Sequence, residues 1–438
     1  MINMNTPIPQ QLVDRAIADM NLPDFGRATI REMVAIASRL EKESGEEFIR
    51  MEMGVPGLPP AKVGVEAEIK ALQNGVASIY PIIDGLPQLK TEASRFVKAY
   101  INVDVDPLGC VPVVGSMQGT YASFLVAGQC EKTKDTILFI DPGFPVQKQQ
   151  ITVMGYKYAS FDVYDYRGEA LEAKLESYLS QGNIAAIIYS NPNNPSWICL
   201  NDEELQIIGR LATTYDTIVL EDLAYFAMDF RKDLSKPFQA PFQASVAKYT
   251  DNWVLLISAS KAFSYAGQRI GVVCISDKLY HRSYEGLTAR YGGGTFGTVF
   301  VHRALYALSS GVSHSAQYAM AAMMKAACDE SYNFLDEVKE YGRRADRLKS
   351  IFLKYGFHLV YDEDLGDPLA NGFYFTIGYK QMTGSELMKA LVYYGVSAIS
   401  LSTTGSAQQG LRACTSFIKP HQYELLDKRL ALFAENNQ

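Results

Sequence analysis

The feature that most constrains the fold is a regular alternation in the middle of the chain, between about residues 105 and 280. Short apolar or β-branched runs alternate there with stretches of helical periodicity, and each run leads directly into a polar segment. The runs are 136–140, 184–189, 217–220 and 253–257. This alternation predicts an α/β fold with a mostly parallel sheet flanked by helices, because each helix returns the chain to start another strand in the same direction.

One helix between two of these runs is well marked. Asn201 followed by Glu204 has the pattern of a capping box, in which each residue bonds the backbone N–H of the other. The apolar residues Leu205, Ile208 and Leu211 fall on one face of a helix with 3.6 residues per turn. We therefore expect a helix that begins just after Asn201 and packs against the sheet.

The polar segments that follow the runs carry candidate functional residues. Parallel strands end at one edge of a sheet, where open α/β sheets bind ligands. The candidates at this edge are Phe144, Asn194, Asp222, Tyr225 and Lys261. Each has an ordinary structural explanation, since an Asp can cap a helix, a Tyr can lie in the core, an Asn can form a turn and a Lys can face water. Their occurrence at four successive strand ends favours a common site.

Lys261 is the candidate with the most specific chemistry, because it lies just past the buried run 253–257. A lysine amine that is partly desolvated and close to a cation has a lowered pKa and can attack a carbonyl.

A second set of residues predicts an anion-binding site. The apolar stretch 111–114 runs into a helical pattern, so the backbone N–H groups of Ser116, Met117 and Gln118 would open a helix, and helix N-termini bind phosphate. Arg269 can add a guanidinium, and Ser258 and Ser260 can add hydroxyls. Pyridoxal phosphate, an aldehyde cofactor that carries a phosphate, would use this whole set.

Composition and residue spacing argue against several other classes of function. The net charge of −7 argues against a nucleic-acid-binding protein, and neither the six cysteines nor the five histidines have the spacing of a metal site. We expect no metal. The N-terminal sequence lacks the pattern of a secretory signal and no apolar run is long enough to span a bilayer, so we expect a cytoplasmic protein.

With these residues in place, the chain resembles the class I/II aminotransferases, which are fold-type I pyridoxal-phosphate enzymes. The resemblance covers roughly residues 50 to 415. It rests on the stretches Asn191–Pro195, Asp222–Tyr225, Ser258–Lys261 and Arg269–Gly271, and also on 54–60, 80–89, 371–375 and 410–415.

The resemblance implies a role for each candidate. Lys261 would hold the cofactor as a Schiff base and move a proton, and Asp222 would keep the pyridine nitrogen protonated. Tyr225 and Asn194 would donate hydrogen bonds to the ring O3′, and Phe144 would stack on the ring. The phosphate would be bound by Ser116, Met117, Gln118, Ser258, Ser260 and Arg269, with Tyr80 of the neighbouring subunit. Arg412 would bind the substrate α-carboxylate with help from Gly54 and Asn194.

The sequence departs from the family at two places, and it contains one misleading motif. Ser196 and Trp197 follow the Asn-Pro motif where Thr-Gly is usual, and Met117 and Gln118 stand where small or acidic residues are common. The stretch 292–297 satisfies the pattern Gly-x-Gly-x-x-Gly, but it follows no clear strand and we do not expect it to bind a dinucleotide. The resemblance places it near a dimer interface, where Thr298 would approach the cofactor of the partner.

The same resemblance implies the architecture. Residues 65–310 would form a large cofactor domain with a seven-stranded sheet, in which 271–275 is an antiparallel strand. Residues 1–64 and 311–438 would form a smaller α+β domain, entered through a long helix over about 312–350. Because Tyr80 would serve the other subunit, we expect a symmetric homodimer.

The predicted function is transfer of the amino group of an α-amino acid to a 2-oxo acid. The alternative is another reaction on the same cofactor, such as that of a carbon–sulfur β-lyase, a decarboxylase or a cyclopropane-carboxylate synthase. A transcription regulator with a degenerate aminotransferase domain is disfavoured, since about 50 residues before Gly54 are too few for an added DNA-binding module. The sequence leaves the substrate amino acid open.

Overall fold

The computed structural model describes residues 5–437, which form two compact units. The large unit contains Leu58–Asn193 and Cys199–Val338. The small unit contains the chain up to Gly57, the short segment Asn194–Ile198, and the chain from Lys339 onward. The domain boundaries given above stay a prediction.

The strands and helices are as follows. The strands are β1 (Ile49–Arg50), β2 (Cys110–Val113), β3 (Thr136–Asp141), β4 (Lys157–Asp162), β5 (Ile184–Ser190), β6 (Ile218–Leu223), β7 (Trp253–Ser258), β8 (Gly271–Ile275), β9 (Phe357–Leu359), β10 (Glu363–Asp364), β11 (Asp367–Pro368), β12 (Tyr374–Tyr379), β13 (Val396–Ser397), β14 (Ile399–Ser400) and β15 (Leu411–Cys414). The helices are α1 (Gln10–Asp19), α2 (Ile30–Ser44), α3 (Lys62–Gln73), α4 (Pro87–Ile101), α5 (Gly115–Cys130), α6 (Pro145–Met154), α7 (Glu169–Leu179), α8 (Asp202–Thr214), α9 (Ala259–Ala262), α10 (Asp277–Tyr280), α11 (Glu285–Tyr291), α12 (Phe296–Val299), α13 (Tyr306–Ser309), α14 (His314–Cys328), α15 (Phe334–Lys354), α16 (Gly384–Val392) and α17 (Gln422–Asn436).

In the described part of the chain, the large unit is built on one seven-stranded sheet with the order β2-β8-β7-β6-β5-β3-β4. β8 runs antiparallel to both of its neighbours, and the other neighbouring pairs are parallel. The four runs identified in the sequence are β3, β5, β6 and β7, so the predicted fold class is confirmed. Apolar side chains of these strands are buried against α5 and the helices that follow β8, and they form the core of this unit.

The predicted capping box is present at the start of α8. The Glu204 backbone N–H donates to Oδ1 of Asn201 at 2.9 Å, and the Asn201 N–H donates to Oε2 of Glu204 at 3.2 Å. The carboxylate of Glu204 also accepts a hydrogen bond from Nε of Arg167 at 2.7 Å. The cap is therefore tied to the preceding loop as well as to the helix that it begins.

The prediction of one long helix over about 312–350 is wrong, because the structure has two helices there, α14 and α15. The backbone N–H groups of Ser331 and Tyr332 both return to the carbonyl of Ala326, and Glu330 has a left-handed φ of 56°. The side chain of Asn333 then accepts the Leu335 N–H at 3.2 Å and opens α15. The bonds back to Ala326 therefore end α14, and the Asn333 side chain caps the start of α15.

The small unit has a sheet of four strands in the order β14-β15-β12-β9, and its neighbouring strands are antiparallel. β1 pairs with β13 in parallel, which joins the N-terminal part of the chain to the C-terminal part. Side chains from both parts share one apolar core. Burial of this shared surface explains why segments distant in sequence form one unit.

Two further features bear on the sequence predictions. The glycines of the stretch 292–297 follow α11 rather than a strand, so the strand-turn-helix context of a dinucleotide site is not found there. Within residues 5–437, no helix is long and apolar enough to cross a membrane, and no cluster of three or more acidic, His or Cys side chains could hold a metal ion.

Candidate active site

The large unit brings several predicted residues to the carboxyl ends of neighbouring strands. Asp222 lies one residue before the end of β6, and its register partner on β7 is Leu256. β7 ends two residues later at Ser258, whose partner on β8 is Gly271. Gly271 also pairs with Val113, the last residue of β2. Because the strands end nearly level, the segments that follow β2, β6 and β7 leave the sheet side by side.

Asp222 is a buried carboxylate, with 7% of its surface exposed. Its Oδ2 accepts a hydrogen bond from Nε2 of Gln147 at 2.8 Å, and its Oδ1 accepts the Ala224 N–H at 3.1 Å. Burial raises the pKa of Asp222 to about 6, although both hydrogen bonds act in the opposite direction. A cation beside this carboxylate would offset the cost of burying its charge, so the site suits a protonated ring nitrogen.

Gln147 is a residue that the sequence reasoning missed. It lies in the first turn of α6, three positions after Phe144, and its side chain is buried. An amide that follows a strand end within one helical turn is the signal that could have identified it, although the sequence does not show which strand end it faces. Since the Gln147 amide nitrogen can only donate, it fixes Asp222 as the acceptor in this contact.

The anion site predicted from the sequence lies at the start of α5. α5 begins at Gly115, which has a left-handed φ of 65°. A Cβ added at Gly115 would lie 2.5 Å from Nη2 of Arg269, so glycine lets the guanidinium approach the helix N-terminus. On the neighbouring strand, a Cβ added at Gly271 would lie 3.3 Å from the backbone nitrogen of Ser116. A helix N-terminus beside an arginine suits a phosphate.

In this first helical turn, the side chain of Gln118 and the carbonyl of Met117 form hydrogen bonds within the protein. Gln118 accepts the Val114 N–H at 2.8 Å and donates to Ser309 at 2.8 Å. The Met117 carbonyl accepts from Thr120 and Gln150. The unusual Gln118 side chain therefore stabilises the protein itself. An anion at this helix N-terminus would be bound by the backbone N–H groups of the turn.

The remaining predicted residues of the large unit follow three of the strands. Lys261 lies in the short helix α9 and is half-buried, and Tyr225 is buried in the turn after β6. Phe144 precedes the first residue of α6. The Ser258 hydroxyl accepts the Ser260 N–H at 3.1 Å and caps α9. Tyr80 is on the surface of this chain, with 90% of its area exposed.

The three predicted substrate-binding residues, Gly54, Asn194 and Arg412, belong to the small unit. Arg412 lies on β15 and has no exposed surface. Its Nη2 donates to the Glu52 carbonyl at 2.6 Å, and its guanidinium lies 4.7 Å from the centre of the Tyr374 ring. Within residues 5–437, Nε and Nη1 of Arg412 have no hydrogen-bond acceptor. A buried guanidinium with two unused donors suits a carboxylate.

The residues present therefore fit pyridoxal phosphate on observations of the protein itself. The phosphate would meet the start of α5 and Arg269, and the ring nitrogen would meet Asp222. The aldehyde would meet the amine of Lys261. Each of these groups lies in the large unit, at ends of strands that are neighbours in the sheet.

Comparisons with curated proteins give relatives that are aminotransferases by name. The chain is 25% identical over 252 residues to a probable aspartate aminotransferase of Methanocaldococcus jannaschii, which covers 58% of this chain and 61% of the relative. It is 26% identical over 260 residues to a glutamate-pyruvate aminotransferase of Escherichia coli, which covers 58% of this chain and 60% of the relative. These matches span less than two thirds of either relative.

Solved structures match over nearly the whole chain. The aspartate aminotransferase of Thermotoga maritima superposes with a TM-score of 0.74 at 19% identity, covering 97% of this chain and all of that structure. A double mutant of the Thermus thermophilus aspartate aminotransferase gives a TM-score of 0.73 at 19% identity, covering 93% of this chain and 96% of that one. At these identities the structures show the fold.

The family model for aminotransferase class I and II matches residues 46–430, which is most of the chain. It takes in the sheet edge, Lys261 and Arg412. This match confirms the predicted family and, with it, pyridoxal phosphate as the cofactor. The chain belongs to the aminotransferase class I and II family.

Proposed function

We propose that this protein is a pyridoxal-phosphate-dependent aminotransferase, which moves the amino group of an α-amino acid to a 2-oxo acid. The observation that carries the proposal is the combination, at adjacent strand ends of one sheet, of a buried carboxylate, a lysine amine and a helix N-terminus beside an arginine. Membership of the family and the names of the curated relatives support it.

Bound pyridoxal phosphate supplies an aldehyde that condenses with amines and a ring that withdraws electrons from the substrate α-carbon. The protein supplies the acid–base groups. Nζ of Lys261 would hold the aldehyde, and the same amine would move the proton from the substrate α-carbon to the cofactor C4′. Asp222 would keep the ring nitrogen protonated and so increase electron withdrawal where charge develops.

The other residues of the large unit bind and orient. Tyr225 would donate a hydrogen bond to the ring O3′, and Phe144 would stack on the ring. The phosphate would be bound by the backbone N–H groups of the first turn of α5, by hydroxyls and by the guanidinium; these residues are Ser116, Met117, Gln118, Ser258, Ser260 and Arg269. Binding the phosphate in this way would orient the cofactor towards Lys261.

In the small unit, we assign Arg412 to the substrate α-carboxylate, with Gly54 and Asn194 as further contacts. The two unused donors of Arg412 support this assignment, because each can donate a charge-assisted hydrogen bond to a carboxylate oxygen. We also assign to Asn194 a hydrogen bond to the ring O3′. The substrate class follows no further than an amino acid and a 2-oxo acid, each of which carries this carboxylate.

We propose a symmetric homodimer in which Tyr80 reaches the phosphate in the partner subunit. Tyr80, Ile79 and Ile82 are 90%, 58% and 61% exposed, so one short segment presents three large apolar side chains to solvent. Covering such a segment with a second copy of the chain would be favourable. Sedimentation equilibrium is expected to give twice the 48.6 kDa of one chain. A monomer that is fully active would contradict this proposal. A cytoplasmic location stays a prediction.

The experiment that tests the function is product analysis with a panel of amino acids, after the protein has been loaded with pyridoxal phosphate. We expect amine transfer that depends on an added 2-oxo acid, with a new amino acid formed in equal amount. Borohydride reduction followed by peptide mass analysis should place the cofactor on Lys261. Pyruvate and ammonia formed without an acceptor would instead identify a lyase, the alternative on the same cofactor. A protein that stays colourless with added cofactor would overturn both.

A further inference from the structure

Trp197 adopts a backbone conformation that is unfavourable for its residue type. Its φ is 66°, in the left-handed region that favours glycine, and its side chain is buried with 1% of its surface exposed. This is the position at which the sequence departs from the usual Thr-Gly of the family. Because this conformation is unfavourable for tryptophan, the contacts of the buried indole must stabilise it.

The indole fits closely between two parts of the segment that precedes and begins β12. A Cβ added at Gly372 would lie 2.0 Å from Cε2 of the indole, so glycine is required for the ring to enter. The indole also meets the Tyr374 ring, with 6.3 Å between the ring centres and 64° between their planes. Trp197 thus supports one edge of Tyr374 in an edge-to-face contact.

Tyr374 in turn supports Arg412. The register of β12 and β15 places Thr376 opposite Arg412, so Tyr374 is a diagonal neighbour on the same face of the sheet. The centre of its ring lies 4.7 Å from the guanidinium carbon. Its hydroxyl lies close to Gly54, since a Cβ added at Gly54 would lie 2.2 Å from it. The ring is therefore restrained by the indole and at its hydroxyl.

The guanidinium depends on this ring more than a typical buried arginine would. Among the described residues, its hydrogen bond to a protein acceptor is the one from Nη2 to the Glu52 carbonyl, because Nε and Nη1 have no acceptor. One hydrogen bond does not by itself fix the plane of a guanidinium. The Tyr374 ring is a contact that can fix this plane, and the plane decides where the two unused donors point.

We propose that Trp197 is a positioning residue for carboxylate binding, which acts through the ring of Tyr374 to fix the plane of the Arg412 guanidinium. The proposal rests on the proposed function in one respect, namely that Arg412 binds the substrate carboxylate. It adds a residue that does not touch the substrate but determines how strongly a carboxylate is bound.

The test compares Trp197→Gly and Trp197→Phe with the wild-type protein and with Arg412→Lys. Propionate and succinate, which carry carboxylates but no amine, are titrated into the protein by calorimetry, with and without pyridoxal phosphate. We expect the dissociation constants of both to rise by about 10-fold or more in Trp197→Gly and by less in Trp197→Phe. With an amino acid substrate, KM should rise by a similar factor while kcat changes less, and the affinity for pyridoxal phosphate should be unchanged.

Two further measurements separate positioning from general structural damage. In a double-mutant cycle, Trp197→Gly should add almost nothing in the Arg412→Lys background, because its effect passes through the guanidinium. Trp253→Phe, which alters the other tryptophan of the chain, lies in the sheet of the large unit and should leave carboxylate affinity unchanged.

Three results would overturn the inference. These are unchanged carboxylate affinity in both Trp197 variants, an equal loss of carboxylate and cofactor affinity, and fully additive effects in the cycle. If Trp197→Gly does not fold, the same measurements on Trp197→Phe still test the inference. Failure of the proposed function has a different signature, namely a wild-type protein that neither retains pyridoxal phosphate nor transfers an amino group.

Discussion

Replacing Lys261 with alanine is expected to leave a folded protein whose amine transfer falls by about 10⁴-fold, at the upper end of what loss of a general base costs. The effect is large because the proposed function gives one amine two roles, as the attachment point of the cofactor and as the group that moves the substrate proton. Cofactor held by Lys261→Ala should be removed by dialysis even after borohydride treatment, whereas the wild-type protein should keep it. Visible absorption and the intact mass of the dialysed proteins measure the difference.

Lys278→Ala is the matched control, because Lys278 is an exposed lysine of the same unit that pairs with Asp251 at 3.1 Å. It should behave as wild type in both measurements. Retention of a reduced cofactor adduct by Lys261→Ala would show that another lysine is the attachment point. Substantial turnover by this variant, within about 10-fold of wild type, would remove Lys261 from the acid–base chemistry.

Replacing Asp222 with asparagine is expected to lower kcat/KM by about 10²- to 10³-fold and, at the same time, to raise the stability of the cofactor-free protein relative to wild type as the pH rises from about 4 to about 6. Asparagine keeps the shape of the side chain, but its one oxygen can accept from Gln147 or from the Ala224 N–H and not from both, and it has no charge to hold a proton on the ring nitrogen. Breaking a buried charge pair costs about 2–5 kcal/mol, which corresponds to the expected loss of rate if this pair matters in the transition state.

The expected gain in stability follows from the pKa of Asp222. Burial raises this pKa to about 6 in the folded protein, from 3.8 in the unfolded chain. Between about pH 4 and pH 6 the folded state therefore holds a proton that the unfolded state has released, so stability falls as pH rises through this window. Above it the buried charge costs about 1–3 kcal/mol, and Asp222→Asn avoids that cost.

Urea denaturation of the cofactor-free proteins measures this effect. The midpoint for Asp222→Asn minus that of wild type should be larger at pH 7 than near pH 4, because the hydrogen bond that asparagine loses is lost at both pH values, whereas the buried charge of wild type is present at pH 7 alone. Other buried carboxylates, such as Glu221 with a pKa raised to about 7, are common to both proteins and cancel in the comparison. Asp251→Asn, at an exposed carboxylate, should change neither stability nor activity. A midpoint difference that does not grow between pH 4 and pH 7, or wild-type activity of Asp222→Asn, would contradict the role assigned to Asp222.

Residues whose role depends on their own strand end could be identified from the sequence. The positions of Asp222 and Lys261 follow from apolar runs that end just before them, because parallel strands align their carboxyl ends whatever the details of packing. The capping box of α8 was predictable for the same reason, since its two partners are three residues apart. The break between α14 and α15 could not be predicted, because it depends on backbone hydrogen bonds to the Ala326 carbonyl that helical periodicity does not reveal.

Partners that are distant in sequence could not be assigned in this way. Gln147 and Asp222 are 75 residues apart, and nothing in either local pattern indicates that they share a hydrogen bond. Trp197 appeared in the sequence as a departure from a motif, without a consequence. Its contact with Tyr374, and that of Tyr374 with Arg412, became visible once the small unit was folded.

By itself, the sequence determined the α/β architecture, the family, and the residue types proposed to meet the cofactor, because these depend on periodicity and on short-range motifs. The tertiary structure decided the pKa of Asp222, the unused donors of Arg412 and the contacts of Trp197. Each of these depends on burial and on side chains brought together from separate segments. Burial changes the energy of a charge or a donor by removing water, and a linear pattern does not specify which distant side chains replace that water.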